Sequence, residues 1–474
     1  MHINRNKLQI AVSMFHKVIK KNRIWESDSE IRLVKRDSDT YLEYTSPSGN
    51  IDAPHCIRLD IADIVVLEDN ETLDIFIDPK KLTKHLKSFK DSIVYAEQVN
   101  DFLIISSGKK SKNKVCGYSG TNTDMDTYVL SEEQFDGLKG EKDNEHPLMD
   151  VYTVNKSIFE KALTHVHYDG YADPTRPTLQ NMEMVWKDDS ILRFAKTNGH
   201  FLNVMESNNN GTMEVSHWDD FKKEDTEIKR RYEKSVLIPS TICNTIKYYL
   251  DNIYDDSIDC DFVTVRKTMT GEKFEKSQGS SEYQYKGHFH HYIDIGRMEI
   301  VYKFCERSYF PDLSHFQYKT DNELIDLAFI VDDMKFATDR IGKFHTNGDS
   351  VIITNLESGK DSKFDGKMEL KYIDADSSEI TEEVGYSGEY RTSLPFGVNL
   401  SYLNDVMKLT YKTHNEIKLR CGKDLAIQEG YKRHNIRVPF ILEYSLSNSD
   451  TVYKIIMPFC KNDTYIGDGS DTKQ

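Results

Sequence analysis

The chain has 474 residues, a formal net charge of −16, 38% hydrophobic and 30% charged residues. This is a soluble globular composition, too long for one core at ~100–200 residues per domain. No apolar run approaches the ~18–20 residues that cross a bilayer, no secretory pattern opens the sequence, and seven scattered cysteines without a CxxC pair indicate reduced thiols in a cytosol-like compartment.

The first predicted element is an amphipathic helix, NKLQIAVSMFHKVIKK, closed by Lys17, Lys20, Lys21 and Arg23. The stretch IDPKKLTKHLKSFKD (Ile77–Asp91) then concentrates five lysines in an acidic chain. Asp78-Pro79 is a helix start, an N-cap acceptor followed by proline at the first helical position. Leu82, Leu86 and Phe89 recur on one face, and Lys80, Lys84 and Lys87 repeat the spacing nearly opposite, since two residues turn a helix by about 200°. One such helix alone reads as packed on one side and solvated on the other.

The same unit recurs. NKSIFEKALTHVHY carries Lys156 and Lys161, and VLIPSTICNTIKYYLDNI carries Lys247 after Pro239. FIVDDMKFATDRIGKF carries Lys335, Arg340 and Lys343. LPFGVNLSYLNDVMKLTYK carries Lys408 and Lys412, with Asn399 or Ser401 as the cap. The second helix of each unit starts roughly 160 residues after the one before, and short alternating strands follow each, favouring antiparallel sheet. Acidic residues crowd segments read as loops: SEEQFDGLKGEKDNEHP, HWDDFKKEDTE and DADSSEITEEVGYSGE. A pI near 5.5 therefore does not decide against nucleic acid, because charge distribution decides.

No phosphate loop, nucleophile elbow, HExxH or dinucleotide fingerprint is present. In GHFHHYID, His288 and His290 share a strand face, but no carboxylate or cysteine completes a metal site. Neither a cofactor nor a metal is expected, and a non-enzymatic binding protein is favoured. Two other readings are a metal-dependent nucleic-acid enzyme built on scattered carboxylates and an acidic DNA-mimic inhibitor. The second leaves the cationic helices unexplained.

From about Met1 to Phe459 the sequence resembles the bacterial-type DNA sliding clamp family, the β subunit of the replicative DNA polymerase III, phage-encoded members included. The carriers are IDPKKLTKHLKSF and FLIISSGKK, then RPTLQNMEM, LRFAKTNGHFLNV, VLIPSTICNTIKYYL and YFPDLSHF, then GVNLSYLNDVMKL and YKIIMPF. The resemblance implies an α+β fold of three repeated clamp domains, each two helices on antiparallel sheets, closing as a homodimeric ring. The boundaries would be 1–148, 149–322 and 323–460, with insertions in the second at Glu206–Lys234 and about Arg266–His290, and a flexible tail over 461–474. It implies a polymerase processivity factor without catalysis, cytoplasmic and nucleoid-associated, whose partners are encircled duplex DNA, the replicative polymerase, the clamp loader and other clamp-binding-motif proteins. The helix cations named above would track phosphates without reading bases.

The resemblance also implies a pocket for a short apolar peptide between the second and third domains. Its residues would be Arg176, Leu179, Thr197, Gly199, His200, Leu202, Pro311, His315, Phe316, Asn399, Tyr402, Met457, Pro458 and Phe459. The family carries a cation where His315 stands and an aspartate where Asn198 stands. Its chain commonly stops just after the Met-Pro segment. The edges joining two chains would be a strand near NKVCGYSG and the side of the third domain.

Overall fold

The structure, a computed structural model, describes residues 1–22, 30–36, 39–46, 55–68, 71–108, 111–117, 148–167, 179, 181–187, 191–208, 211–215, 235–257, 259–270, 275–276, 283–284, 288–304, 323–344, 350–356, 365–373, 378–391, 395–422 and 439–456. Six helices fall where the repeated amphipathic segments predict them: α1 (Arg5–Asn22), α2 (Pro79–Lys87), α3 (Lys156–His165), α4 (Ser240–Asn252), α5 (Val331–Gly342) and α6 (Leu400–Thr410). In α2 the Asp78 carboxylate accepts from the backbone N–H of Lys80 at 2.7 Å and of Lys81 at 3.3 Å. Leu82 and Leu86 are fully buried, while Lys80, Lys84 and Lys87 are exposed. At α6 it is Asn399 that caps, its side chain accepting from Ser401 N–H at 2.9 Å.

The chain divides into two compact units, Met1–Lys187 with Asn209–Phe310, and Asp188–Asn208 with Pro311–Gln474. In the first, a five-stranded sheet runs Val65–Val66, His2–Asn4, Ile93–Val99, Phe102–Ser107, Ser111–Cys116. A nine-stranded sheet joins strands from the first and second sequence copies, because His55–Asp60 pairs antiparallel with Met298–Phe304, from Leu59↔Met298 to His55↔Tyr302. α1 packs against α4 over the same joint, with Met14 and Val18 buried. Lys17 Nζ lies over the Tyr248 ring, 4.2 Å from its centroid.

The turn before Met298 is tied by a charge hub. Arg297 Nη1 reaches Asp63 at 2.7 Å and its Nε reaches Asp259 at 3.1 Å. The Asp259 side chain is fully buried. Gly296 adopts φ +60°, and a Cβ there would meet Asp259 Oδ1 at 2.6 Å, so only glycine fits. Arg297→Ala strips the guanidinium from a buried carboxylate, a change that costs roughly 3–5 kcal/mol when nothing else compensates. Asp259 keeps backbone donors from Asp255 at 2.8 Å and Arg297 at 3.0 Å. The expected loss is therefore about 2 kcal/mol, read as a lowered urea midpoint at unchanged m. A midpoint equal to wild type would show that the hub adds nothing.

In the second unit a continuous antiparallel sheet contains Ile191–Thr197, Phe201–Asn208, Asp450–Ile456, Phe440–Ser445, Glu416–Gly422, Glu323–Ile330, Glu379–Tyr390, Gly366–Ile373, Ser350–Leu356 and Phe396–Asn399, in that order. Here a second-copy strand pairs with a third-copy strand, Phe201↔Ile456 through Ser207↔Asp450. Buried Ser207 Oγ donates to Asp450 Oδ1 at 2.6 Å. One reading needs correction: most of DADSSEITEEVGYSGE, taken as an acidic loop, is the long strand Glu379–Tyr390. Its Glu383 and Glu379 face Lys367 and Lys371 on the neighbouring strand at 2.7 and 2.8 Å, so cross-strand pairing offsets a run that looked too acidic for sheet. Glu206 lies in the strand Phe201–Asn208 and Arg266 in Phe262–Thr270. GHFHHYID supplies the strand His288–Ile295. Residues 216–234 and the tail over 461–474 lie outside the described residues.

Candidate functional site

The cations singled out in the sequence differ in how they are engaged. Lys80, Lys84, Lys87 and Lys343 are exposed and make no ion pair among the described residues. Five others are in local ion pairs. Lys156 Nζ meets Asp256 at 2.9 Å and lies 3.8 Å from the centroid of the Tyr254 ring. Lys247 meets Asp251 at 3.4 Å, Lys335 pairs with Asp339, Arg340 reaches Glu382 at 3.0 Å, and Lys408 stands 3.8 Å from Asp405. Lys412, at φ +75°, sits 5.8 Å from the Tyr411 centroid, and Lys161 is half-buried. The side chains of Lys20 and Lys21, and Arg23 altogether, lie outside the described residues. α5 also carries Asp332 and Asp333 in its first turn, where carboxylates complement the helix dipole. The solvent-exposed pairs among these, such as Lys247 with Asp251, are worth about 0–1 kcal/mol.

The expected peptide site is represented in the second unit by one hairpin tip and one helix start. The tip, Thr197–Phe201, turns through Gly199 at φ +90°, a left-handed conformation that favours glycine. Thr197 Oγ1 donates to Phe201 O at 2.9 Å and accepts from Gly199 N–H at 3.0 Å. Asn198 Oδ1 accepts from His200 N–H at 3.0 Å and Phe201 N–H at 2.9 Å. Its Nδ2 donates to the Tyr402 hydroxyl on α6 at 3.1 Å. The Phe201 and Tyr402 rings stack at 4.9 Å, 5° from parallel. Leu202 and Thr197 are buried, Asn399 and Tyr402 half-buried, and His200 and Gly199 exposed. Thr197, Gly199, His200 and Leu202 thus lie on the hairpin whose Asn198 and Phe201 touch Tyr402. Leu179 is a half-buried residue of the first unit. Arg176, Pro311, His315, Phe316, Met457, Pro458 and Phe459 lie outside the described residues.

Three residues at this site were not singled out for it: Phe201, Lys454 and Asp405. Lys454 is 1% exposed, with Nζ 5.8 Å from the Phe201 centroid. Burial pulls its ammonium from 10.5 down to about 7, against the opposing pull of the Asp405 carboxylate. Burial likewise raises Asp405, opposed by Lys408 and Lys454. The available signal was a lysine interrupting the apolar run of VYKIIMPF.

No family model matches the sequence, and no curated protein matches it. Solved structures do, across nearly the whole length. DNA polymerase III β subunit from Thermotoga maritima is 15% identical, covering 98% of this chain and 99% of that one, with a TM-score of 0.66. The sliding clamp of Bartonella birtlesii, bound to griselimycin, is 14% identical over 97% and 99%, with a TM-score of 0.67. The β subunit of Borrelia burgdorferi, in complex with a natural product, is 12% identical over 97% and 98%, with a TM-score of 0.65. Alternating helix pairs and antiparallel sheets, joined strand to strand between copies, give this chain the fold of the bacterial DNA polymerase III β-subunit sliding clamps.

Proposed function

We propose that the protein is a DNA polymerase processivity factor. Two chains of three clamp domains each close into a ring around duplex DNA. The observation that carries this reading is the repeated joint between copies. His55–Asp60 is joined by Met298–Phe304, and Phe201–Asn208 by Asp450–Ile456. The corresponding strand of the third copy begins at Glu379. Over Glu379–Gly385 it pairs on one side with Gly366–Ile373. The corresponding last strand of the first copy, Ser111–Cys116, pairs only with Phe102–Ser107 among the described residues. A second copy would join these two edges head to tail, and closed symmetric assemblies are the rule.

The helices repeat the argument. Counted from Ile3↔Val65 and Phe329↔Tyr386, the register points just before each helix, Met14, Lys17 and Val18 of α1 correspond to Arg340, Lys343 and Phe344 of α5. α4 covers the first set, leaving Val18 4% exposed. Phe344, the counterpart of Val18, is 60% exposed, which fits an interface awaiting its partner.

Inside such a ring the exposed lysines of α2 and their counterparts contact phosphates weakly and without sequence preference. A hydrated point charge slides between phosphates where an arginine fork would grip one. Enclosure supplies residence time, and the net acidic body discourages binding elsewhere. The site at Tyr402 tethers the replicative polymerase, the clamp loader and other motif-bearing proteins, and the protein itself is not catalytic. It works on the DNA of the cytoplasm, at the nucleoid.

Light scattering and retention on DNA test this together. The expected mass is near twice the 55.0 kDa chain, with retention on circular nicked DNA after loading and loss when the circle is linearised. A monomer whose DNA binding ignores linearisation would overturn it.

A further inference from the structure

The orientation of the Asn198 amide is fixed by its surroundings. Two backbone N–H groups point at one of its terminal atoms, those of His200 at 3.0 Å and Phe201 at 2.9 Å. Both are donors, so that atom is the oxygen. The other atom is therefore the NH2 group, and it faces the Tyr402 hydroxyl at 3.1 Å. An amide nitrogen only donates, so the Tyr402 oxygen accepts this bond. Its own O–H proton must then point elsewhere. Tyr402 is half-buried, with the exposed His200 at the same hairpin tip, and the stack with Phe201 holds its ring in place.

We infer that Asn198 sets the hydrogen-bonding polarity of the peptide site, holding Tyr402 as a donor toward an acceptor oxygen on the bound partner peptide. This rests on the reading of the site as a peptide tether. An aspartate, which the resembled family carries at this position, would keep the turn, because one carboxylate oxygen still accepts both backbone N–H groups. Its second oxygen would accept the tyrosine proton and leave no donor for the ligand. The side chain at 198 thus selects between a site that offers a proton and one that has consumed it. Asn198 acts through Tyr402 and is a positioning residue. Tyr402 makes the contact.

The test uses the full-length protein and an acetylated, fluorescein-labelled heptapeptide with leucine and phenylalanine anchors, titrated by anisotropy. Tyr402→Phe removes the hydroxyl and keeps the stack. Asn198→Asp keeps the turn and reverses the polarity. Each is expected to weaken binding about three- to tenfold, the worth of one neutral hydrogen bond. The double variant should bind no worse than Tyr402→Phe, because both changes delete the same bond. A purely structural role would lower the melting temperature and give losses that multiply. Wild-type affinity in Asn198→Asp, or multiplying losses in the double variant, overturns the inference while the tether stands. If the wild-type protein binds no such peptide, the tether reading fails and the inference falls with it.

Discussion

Phe344→Asp is expected to yield a folded chain that does not pair, with the mass in solution of one chain and no retention on loaded circular DNA. Phe344 and Phe336 are the two most exposed large apolar side chains among the described residues. They sit eight residues apart on and just beyond α5, on one face together with Arg340 and Lys343. On α1 the counterparts of Arg340 and Phe344, Met14 and Val18, are buried against α4, while Ile10, the counterpart of Phe336, stays 38% exposed. Removing a large aromatic from the middle of an interface typically costs 2 kcal/mol or more, and leaving a carboxylate there adds its desolvation. The dimer dissociation constant should rise at least ~100-fold. In the single chain the residue is open to water, so folding should shift by no more than about 0.5 kcal/mol. The combination of lost association and kept fold is the diagnostic outcome. If Phe344→Asp remains dimeric at micromolar concentration, the second copy does not cover this face.

The helices were legible because their signals are local. Asp78-Pro79, the Leu82–Leu86 stripe and the alternating lysines lie within one short segment, and the later copies repeat the pattern. The joints between copies were not legible. His55–Asp60 meets a strand whose first residue is Met298, and nothing local in either segment names the other. Glu379–Tyr390 misled because its acidic residues are offset by Lys367 and Lys371 across the sheet, a partnership visible only once register is known. The local partners of the helix cations were hidden for a similar reason. Arg340 finds Glu382 on a strand, and Lys335 finds Asp339 one turn along its own helix. At the hairpin tip, Thr197, Gly199 and His200 came from the family resemblance. The stack of Phe201 on Tyr402 joins residues about 200 positions apart, and the polarity of Asn198 depends on which of its atoms meets which backbone N–H.

Lys454→Met should stabilise the protein, and by an amount that depends on pH. Lys454 is 1% exposed, and burial holds its ammonium near 7 in the folded chain, against about 10.4 when unfolded. Between these values the unfolded chain binds the proton more tightly than the native one, so native stability rises with pH across the window. Below about 7 both states are protonated and the full cost of the buried charge remains. Each pH unit of displacement is worth about 1.4 kcal/mol, which sets an upper bound of roughly 5 kcal/mol for this one. Relaxation around the charge lowers it, and exchanging buried ions for apolar groups typically yields about 1–4 kcal/mol. Methionine keeps the unbranched stem against Phe201 without the charge. Asp405 loses one of its two cations but keeps Lys408, and burial already favours its neutral form. The expected gain is about 3 kcal/mol at pH 6, shrinking below about 1 kcal/mol by pH 10, where the native lysine is neutral and the unfolded one is nearing its own titration. Urea midpoints of the two proteins at pH 6, 8 and 10 measure it. A gain that stays constant with pH would mean that Lys454 is not neutralised by burial. A loss at every pH would mean that the fold needs its ammonium, with Asp405 as a true ion-pair partner.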